Sequence, residues 1–279
     1  MSRLSYVPGN SPLHRLNPIS NFVILICIMI LLLFFSKPIF SLIILLAILG
    51  MYLIAGLKAA LVIKKARFII YFGIFIFLIQ ALFNPNGDVL FRLIPKSSPI
   101  LAGGLPITST GVEMGLSMML RFLGIVLASL LFVSVTDPND FAYSLMQLGL
   151  PYRYGFMLVT ALRFLPTFEI EANTVRKAQL SRGIKLQKKG FSGIYSHVKY
   201  TMRPLIVSAL QKAETVSRSM EGRGFGVYKY RTFIDKHQIT ITDKMITGCM
   251  IVITVLLLLS FTLLFNQNEL ADLIISAVL

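Results

Sequence analysis

The stretch MGLSMMLRFLGIVLASLLFVSV, residues 114–135, contains one charged residue, Arg121, and is long enough to cross a bilayer as a helix. A spanning helix needs about 20 mostly apolar residues. Four further windows approach or meet that length, at residues 19–35, 39–57, 68–83 and 245–265. The sequence therefore predicts an all-α membrane protein with about five transmembrane helices.

The overall composition agrees with this class of protein. The chain is 56% hydrophobic and only 14% charged, whereas soluble domains are about 45–50% apolar. Cys27 and Cys249 both lie inside apolar windows, which favours small buried side chains over a disulfide or a metal site. No cofactor and no metal site are expected from this sequence.

The positive charge is concentrated in one segment. Residues 176–244 hold 15 Lys and Arg against 4 Asp and Glu, a net +11 of the chain's +15. Cytosolic loops of membrane proteins are enriched in Lys and Arg, so this segment and the basic connection at residues 58–67 are predicted to be cytosolic. Alternation then places the N-terminus inside, and the loop at residues 84–113 and the C-terminal tail outside.

Three regions follow from these charges and windows. Residues 1–135 hold the first four spans, residues 136–242 form a basic cytosolic helical region, and residues 243–279 hold the last span and tail. A short helix is predicted after Asp137 and Pro138, ending before Gly149. Residues 154–168 could form a sixth span or a half-buried helix; the second is favoured, because a sixth span would place the Arg-rich segment outside.

One pattern occurs twice in the basic region, 41 residues apart. The sequence A-x-T-V-x-K/R-x4-R-G begins at Ala172 and again at Ala213. Glycine just after a helix accepts a left-handed backbone, and arginine complements the negative end of the helix dipole. Those roles explain the two glycines without requiring arginine twice. Arginine is preferred where a planar fork grips a carboxylate or carbonyls of another surface, so the repeat predicts paired partner docking, not a catalytic centre.

The second copy of the repeat belongs to an amphipathic helix. Apart from Val207, its apolar residues from Leu205 to Met220 fall within a stripe roughly 140° wide at 100° per residue. They are Leu205, Ile206, Ala209, Leu210, Ala213, Val216 and Met220.

Several functions are disfavoured by what the sequence lacks. No Gly-Lys pair occurs, so the phosphate loop of a P-loop ATPase is absent. The three histidines are scattered and no His-Glu-x-x-His is present. The basic excess could contact anionic lipid, nucleic acid or an acidic protein; lipid contact is expected in any case, while no nucleic-acid recognition fold is evident.

Two ionisable residues lie near or within the fourth span. Glu113 and Arg121 are functional candidates because charge at membrane depth is costly. The alternative is structural: Glu113 lies at the interface, and Arg121 snorkels or pairs with Glu113 or with a neighbouring helix.

Four motifs together resemble a known family. They are YVPGNSPLHRLNP at residues 6–18, FNPNG at 83–87, ALRFLPT at 161–167, and the two Arg-Gly helix ends. In this order they resemble the transmembrane T component of energy-coupling factor (ECF) transporters, the group that also contains the membrane subunit of cobalt and nickel uptake systems. The resemblance runs from the N-terminus to about Gly226.

The resemblance implies a function and partners. In that family two helix ends, commonly Ala-Arg-Gly, dock into grooves of two ABC-type ATPases, and a small membrane S component captures a vitamin or metal ion. Carried over by motif, the docking residues are Ser181, Arg182, Gly183, Gly222, Arg223 and Gly224. This chain departs with Ser and Gly in place of Ala, and with Asn17 where Asp is common. The apolar stripe would then transmit motion to a membrane partner.

The resemblance implies a non-catalytic energy-coupling subunit of an importer in a bacterial or archaeal cell membrane. The competing hypothesis is an autonomous carrier or channel with a lipid-binding basic face. That would predict polar, broken or repeated spans around a midplane site, whereas these spans are almost uniformly apolar. A membrane enzyme is disfavoured because no catalytic constellation is present.

Overall fold

The computed structural model describes residues 6–9, 11–35, 37–57, 59–84, 88–92, 106–183, 191–227 and 240–278. The elements within these residues, in chain order, are α1 (Pro12–Arg15), α2 (Pro18–Phe34), α3 (Pro38–Ile54), α4 (Ala59–Phe83), β1 (Val89–Arg92), β2 (Pro106–Thr108), α5 (Ser109–Val135), α6 (Pro138–Gln147), α7 (Tyr152–Ser181), α8 (Phe191–Gly222) and α9 (Ile241–Val278).

The chain forms two compact units. One runs from Leu145 to His237 and holds α7 and α8. The other comprises Arg3–Ser144 with Gln238–Leu279 and holds the apolar helices. Within the described residues the architecture is helical apart from the antiparallel pair β1–β2, which confirms the predicted all-α class.

Five apolar helices coincide with the five predicted spans. Two of them, Ser109–Val135 and Ile241–Thr262, are long and apolar enough to cross a membrane. Three are shorter: Pro18–Phe34, Pro38–Ile54 and Arg67–Phe83. Large apolar side chains on their outer faces are exposed, including Leu53 and Phe68. Exposed apolar surface of this extent is typical of a lipid or protein contact.

Helix α5 is the centre of this unit. Helices α2, α3 and α4 all pack against it, while α9 packs against α2. A Cβ on Gly124 would lie 2.9 Å from the side chain of Leu32, so a larger residue there would displace that side chain where α2 approaches α5. The Tyr52 hydroxyl donates a hydrogen bond to the Leu127 carbonyl at 2.8 Å. Small residues and interhelical hydrogen bonds of this kind hold membrane helices together.

The first connection predicted to be a loop is largely helical. Residues 58–67 were interpreted as a basic connection, but α4 begins at Ala59 and continues without a break to Phe83. The segment contains Ala, Leu and Lys and no Gly or Pro, so its residues favour a helix. The prediction of a loop there was wrong, although the cluster of basic residues remains at one end of the helix.

The short helix after the fourth span is confirmed. Helix α6 follows Asp137, whose carboxylate accepts a hydrogen bond from the Asn139 backbone at 2.8 Å. Gly149 adopts a positive φ of 109°, and the Leu150 N–H donates to the Leu145 carbonyl at 3.2 Å. These contacts end the helix before Gly149, as predicted from Gly149 and Pro151.

The N-terminal motif is packed against the end of α5. The Val7 N–H donates to the Ser134 carbonyl at 3.0 Å. His14 closes the segment on itself: its Nε2 donates to the Val7 carbonyl at 3.0 Å, and its Nδ1 accepts from the Ser11 hydroxyl at 2.6 Å. The motif therefore has a structural role.

Asn17 and Asp243 join the starts of two helices. The Asn17 side chain caps α2 by accepting from the Ile19 N–H at 3.0 Å. The buried Asp243 accepts from the Thr240 N–H at 2.9 Å, capping α9, and from the Asn17 N–H at 3.4 Å. Asp243 thus places a buried carboxylate beside Asn17.

Candidate docking site

The first Arg-Gly pair, Arg182-Gly183, lies at the C-terminal end of α7. We call this helix end the first tip, and the end of α8 at Arg223-Gly224 the second tip. The Arg182 N–H donates to the carbonyls of Ala178 and Gln179 at 3.2 and 3.1 Å. Gly183 has a φ of +74°, and its N–H donates to the Leu180 carbonyl at 3.0 Å. The backbone closes on itself, so the last helical carbonyls need no side chain to satisfy them. The Arg182 side chain is exposed.

The second tip ends α8 with the same geometry. Gly224 has a φ of +65°, and its N–H donates to the Glu221 carbonyl at 3.0 Å. The Phe225 N–H donates to the Met220 carbonyl, also at 3.0 Å. These two bonds form a Schellman motif, which favours glycine at the left-handed position. Neither Arg223 nor Arg182 forms an ion pair within the described part of the chain.

The two tips lie at opposite ends of an antiparallel helix pair. The ring of Phe225 packs against that of Phe156, near the start of α7, with 4.9 Å between ring centroids. At the other end, the Gln179 amide donates to the Tyr200 carbonyl. Arg223 is 23 residues beyond Tyr200, so at 1.5 Å per residue the tips are about 35 Å apart. A partner that contacts both tips must therefore reach across about 35 Å.

The predicted apolar stripe of α8 is divided between two environments. Its C-terminal part borders an open groove of about 690 Å³ between α7 and α8. The groove is lined by Phe156, Ala161 and Phe164 of α7 and by Ala213, Val216 and Met220 of α8. Leu205 and Ala209 are half-buried, whereas Ile206 and Leu210 are 56% and 66% exposed. The stripe thus leaves apolar surface available for a partner.

A polar cluster joins α7 and α8 midway between the tips. The Glu171 carboxylate accepts hydrogen bonds from Lys212 and, at 3.0 Å, from the Ser208 hydroxyl. The Lys212 ammonium lies 5.6 Å from the centroid of the Phe168 ring, within range of a cation–π contact. The Glu171 and Lys212 side chains are only 26% and 30% exposed.

Sequence reasoning missed this cluster, although a signal was present. Glu171 and Lys212 each come directly before the first alanine of the repeat. They carry opposite charges at equivalent positions, and an extension of the repeat by one residue would have revealed them.

The hydrogen bond from Lys212 lowers the pKa of the Glu171 carboxyl. Desolvation acts in the opposite direction, and the Ser208 hydrogen bond adds to the lowering. A lowered carboxyl pKa means that the cluster stabilises the folded unit above the ordinary Glu value of about 4.3. That contribution is lost as the pH falls through the lowered pKa.

We expect Lys212→Met, which keeps the aliphatic stem but removes the charge, to raise the Glu171 pKa toward about 4.3. The titration of the Glu171 carboxyl carbon, followed by NMR in detergent, measures this directly. An unaltered Glu171 titration in the variant would contradict the assigned cause.

Arg121 pairs with a neighbouring helix. Its Nη2 donates to the Phe35 carbonyl at 3.1 Å, at the C-terminal end of α2 where helix carbonyls carry partial negative charge. Glu113 is exposed in the first turns of α5. This contact supports the structural alternative for Arg121. Among the described residues, no group of three His, Cys, Asp or Glu could hold a metal ion.

The fold and site define an all-α membrane protein with two exposed Arg-Gly helix ends on an antiparallel helix pair. Residues 9–233 match the sequence model of the family described as cobalt transport protein, CbiQ. The chain belongs to this family, that of the transmembrane T components of ECF transporters.

Curated relatives carry a consistent name. The chain is 32% identical to the energy-coupling factor transporter transmembrane protein EcfT of Limosilactobacillus fermentum over 82% of this chain and 85% of the relative. It is 28% identical to EcfT of Exiguobacterium sibiricum over 91% and 95%, and 27% identical to EcfT of Bacillus subtilis over 82% and 88%. These similarities support a transporter membrane subunit in the cell membrane.

Proposed function

We propose that this chain is the energy-coupling subunit of an ECF-type ABC importer for a micronutrient, a vitamin or a metal ion. It would bind two ABC-type ATPase subunits through its tips and a membrane S component through apolar surface. It would itself be non-catalytic, with ATP hydrolysis in the partner ATPases. The observation that carries the proposal is the pair of exposed Arg-Gly ends, built alike and held about 35 Å apart.

The mechanical logic follows from that separation. Two tips at opposite ends of one helix pair suit two ATPase subunits, one at each tip. When ATP draws the ATPases together, they would move the two helix ends relative to one another. The groove and the exposed Ile206 and Leu210 give this motion an apolar surface through which to reach a membrane partner. Nothing in this chain needs to bind the transported substrate.

The function is tested by purifying the chain from membranes and identifying its companions. We expect two ATPase subunits and a small membrane protein to co-purify, and the complex to hydrolyse ATP and support uptake. The isolated chain should hydrolyse no ATP above background, because it lacks a phosphate loop. Uptake by the chain alone in proteoliposomes would instead favour the autonomous carrier or channel.

The proposed topology has five spans, a cytosolic N-terminus and coupling region, and an external C-terminus. Cysteines introduced at Gly190 and Asn268 in a cysteine-free background test it. We expect Gly190→Cys to react with an impermeant reagent only from the cytosolic side, and Asn268→Cys only from outside. Labelling of Gly190→Cys from outside would overturn this arrangement. Gly190 lies outside the described residues.

A further inference from the structure

Glu171 and Lys212 occupy equivalent positions of the repeat and contact each other. They are 41 residues apart, the same offset that relates Arg182 to Arg223. The helices that carry them are antiparallel. When equivalent residues of two antiparallel helices touch, the helices are related by a local two-fold axis that passes through the contact. The Glu171–Lys212 pair therefore lies on such an axis.

The two repeat copies also share local structure around that axis. The hydroxyls of Thr174 and Thr215, equivalent in the repeat, each donate to the carbonyl four residues earlier, at 3.0 and 2.9 Å. Each tip arginine is 11 residues beyond the axis on its own helix, about 17 Å at 1.5 Å per residue. The pair therefore sits midway between the two tips.

The chemistry on the axis suits a fixed crossing point. Identical charged residues would face each other there and repel, whereas the opposite charges of Glu171 and Lys212 attract. Ser208 and Phe168 add a hydrogen bond and a ring contact to the same two side chains. The Glu171–Lys212 ion pair therefore joins α7 directly to α8.

The packing on the two sides of the crossing differs. Toward the first tip, Gln179 bonds the Tyr200 backbone directly. Toward the second tip, the open groove separates the helices until Phe225 meets Phe156. The described contacts between α7 and α8 therefore differ on the two sides of the crossing.

We propose that the Glu171–Lys212 pair is the pivot of the two tip helices, and that it sets the spacing of Arg182 and Arg223 and so links movement at one tip to movement at the other. This rests on the proposed function, since the ATPases would supply the force. Glu171 and Lys212 are positioning residues, because they touch neither ATP nor the transported substrate.

Charge exchange tests the pivot. Glu171→Lys places two ammonium groups on the axis, Lys212→Glu places two carboxylates there, and the double variant restores an opposite pair. Arg176→Glu, an exposed charge reversal on α7, is the control. Spin labels at Lys177→Cys and Arg218→Cys, equivalent and exposed positions, report the helix spacing by pulsed EPR in a Cys27→Ala, Cys249→Ala background, both in the isolated chain and in the assembled transporter.

We expect each single reversal to shift the distance between the labels and to lower uptake per ATP hydrolysed about 5-fold or more, the lower end of ordinary coupling between sites. Assembly with the ATPases should persist. The double variant should restore both readouts, and Arg176→Glu should change neither. Restoration of both readouts in the double variant would show that the pair of opposite charges matters. If the two positions tolerated no substitution at all, the double variant would stay impaired.

Two results would overturn the pivot: single variants with the parent's distances and coupling, or a double variant as impaired as the singles. The proposed function is judged separately. If no ATPases co-purify with the parent chain, that function fails, while the label distances in the isolated chain still decide whether the charge pair sets the helix spacing.

Discussion

Arg182→Ala and Arg223→Ala should each weaken ATPase binding or uncouple hydrolysis from uptake, while membrane insertion remains intact. Both guanidinium groups are exposed and without an ion pair in the described part of the chain, so they are available to a partner. Loss of one partner of a buried, hydrogen-bonded charge pair typically costs about 2–5 kcal/mol. Affinity of the purified chain for the ATPases, and uptake by the reconstituted complex, measure the effect.

Arg176→Ala is the matched control. Arg176 is an exposed arginine on the same helix, six residues before the first tip, and six residues turn a helix by roughly 600°, so it faces another direction. The Arg176→Ala variant should bind the ATPases with the same affinity as the parent chain. If Arg176→Ala were as harmful as the tip variants, general attraction between a basic face and an acidic surface or lipid would explain the binding better than specific docking.

Much of the membrane fold could be predicted, because a bilayer imposes a length and a composition on each helix. Three of the five windows matched α2, α3 and α5 to within five residues at each end. The windows at residues 68–83 and 245–265 were only parts of α4 and α9, since apolar length marks the membrane-crossing portion and does not mark where a helix begins or ends. The strands β1 and β2 were missed because they lie in a neutral loop without period-2 alternation.

Sequence reasoning identified the tips but not their arrangement. A repeated motif shows that two helix ends are alike, and glycine at each end predicts a left-handed residue, which Gly183 and Gly224 both adopt. It does not show which faces of the two helices meet. The crossing at Glu171 and Lys212 depends on contacts 41 residues apart, and neither helix alone determines them. The contact between Asn17 and Asp243, 226 residues apart, could not be predicted for the same reason: local sequence patterns do not show which distant residues meet.

The two tips are alike in backbone geometry but differ in what supports them. The second tip is followed by Phe225, whose ring packs in tilted contacts against Phe156 and Tyr152, at centroid distances of 4.9 and 5.7 Å. This contact closes the far end of the groove and attaches the second tip to the start of α7. If the tips dock as proposed, force on the second tip would reach α7 directly, as well as through the proposed pivot at Glu171 and Lys212.

Phe225→Ala should therefore impair the second tip. Aromatic pairs contribute about 0.5–1.5 kcal/mol each beyond the area they bury, so loss of two pairs costs roughly 1–3 kcal/mol of local stability. We expect faster hydrogen exchange at residues 220–224 and weaker coupling of ATP hydrolysis to uptake. Exchange near Arg182 should stay unchanged, because that tip is attached through Gln179 and Tyr200.

Val227→Ala supplies the comparison for Phe225→Ala. Val227 follows two residues later and is 72% exposed, so its truncation removes little packing and should leave exchange and coupling at parent levels. Equal effects of the two variants would mean that the segment after the tip matters only as a linker. A selective effect of Phe225→Ala, with rescue by Phe225→Tyr, would establish that stacking on α7 holds the second tip in place, because tyrosine keeps the ring and its contacts.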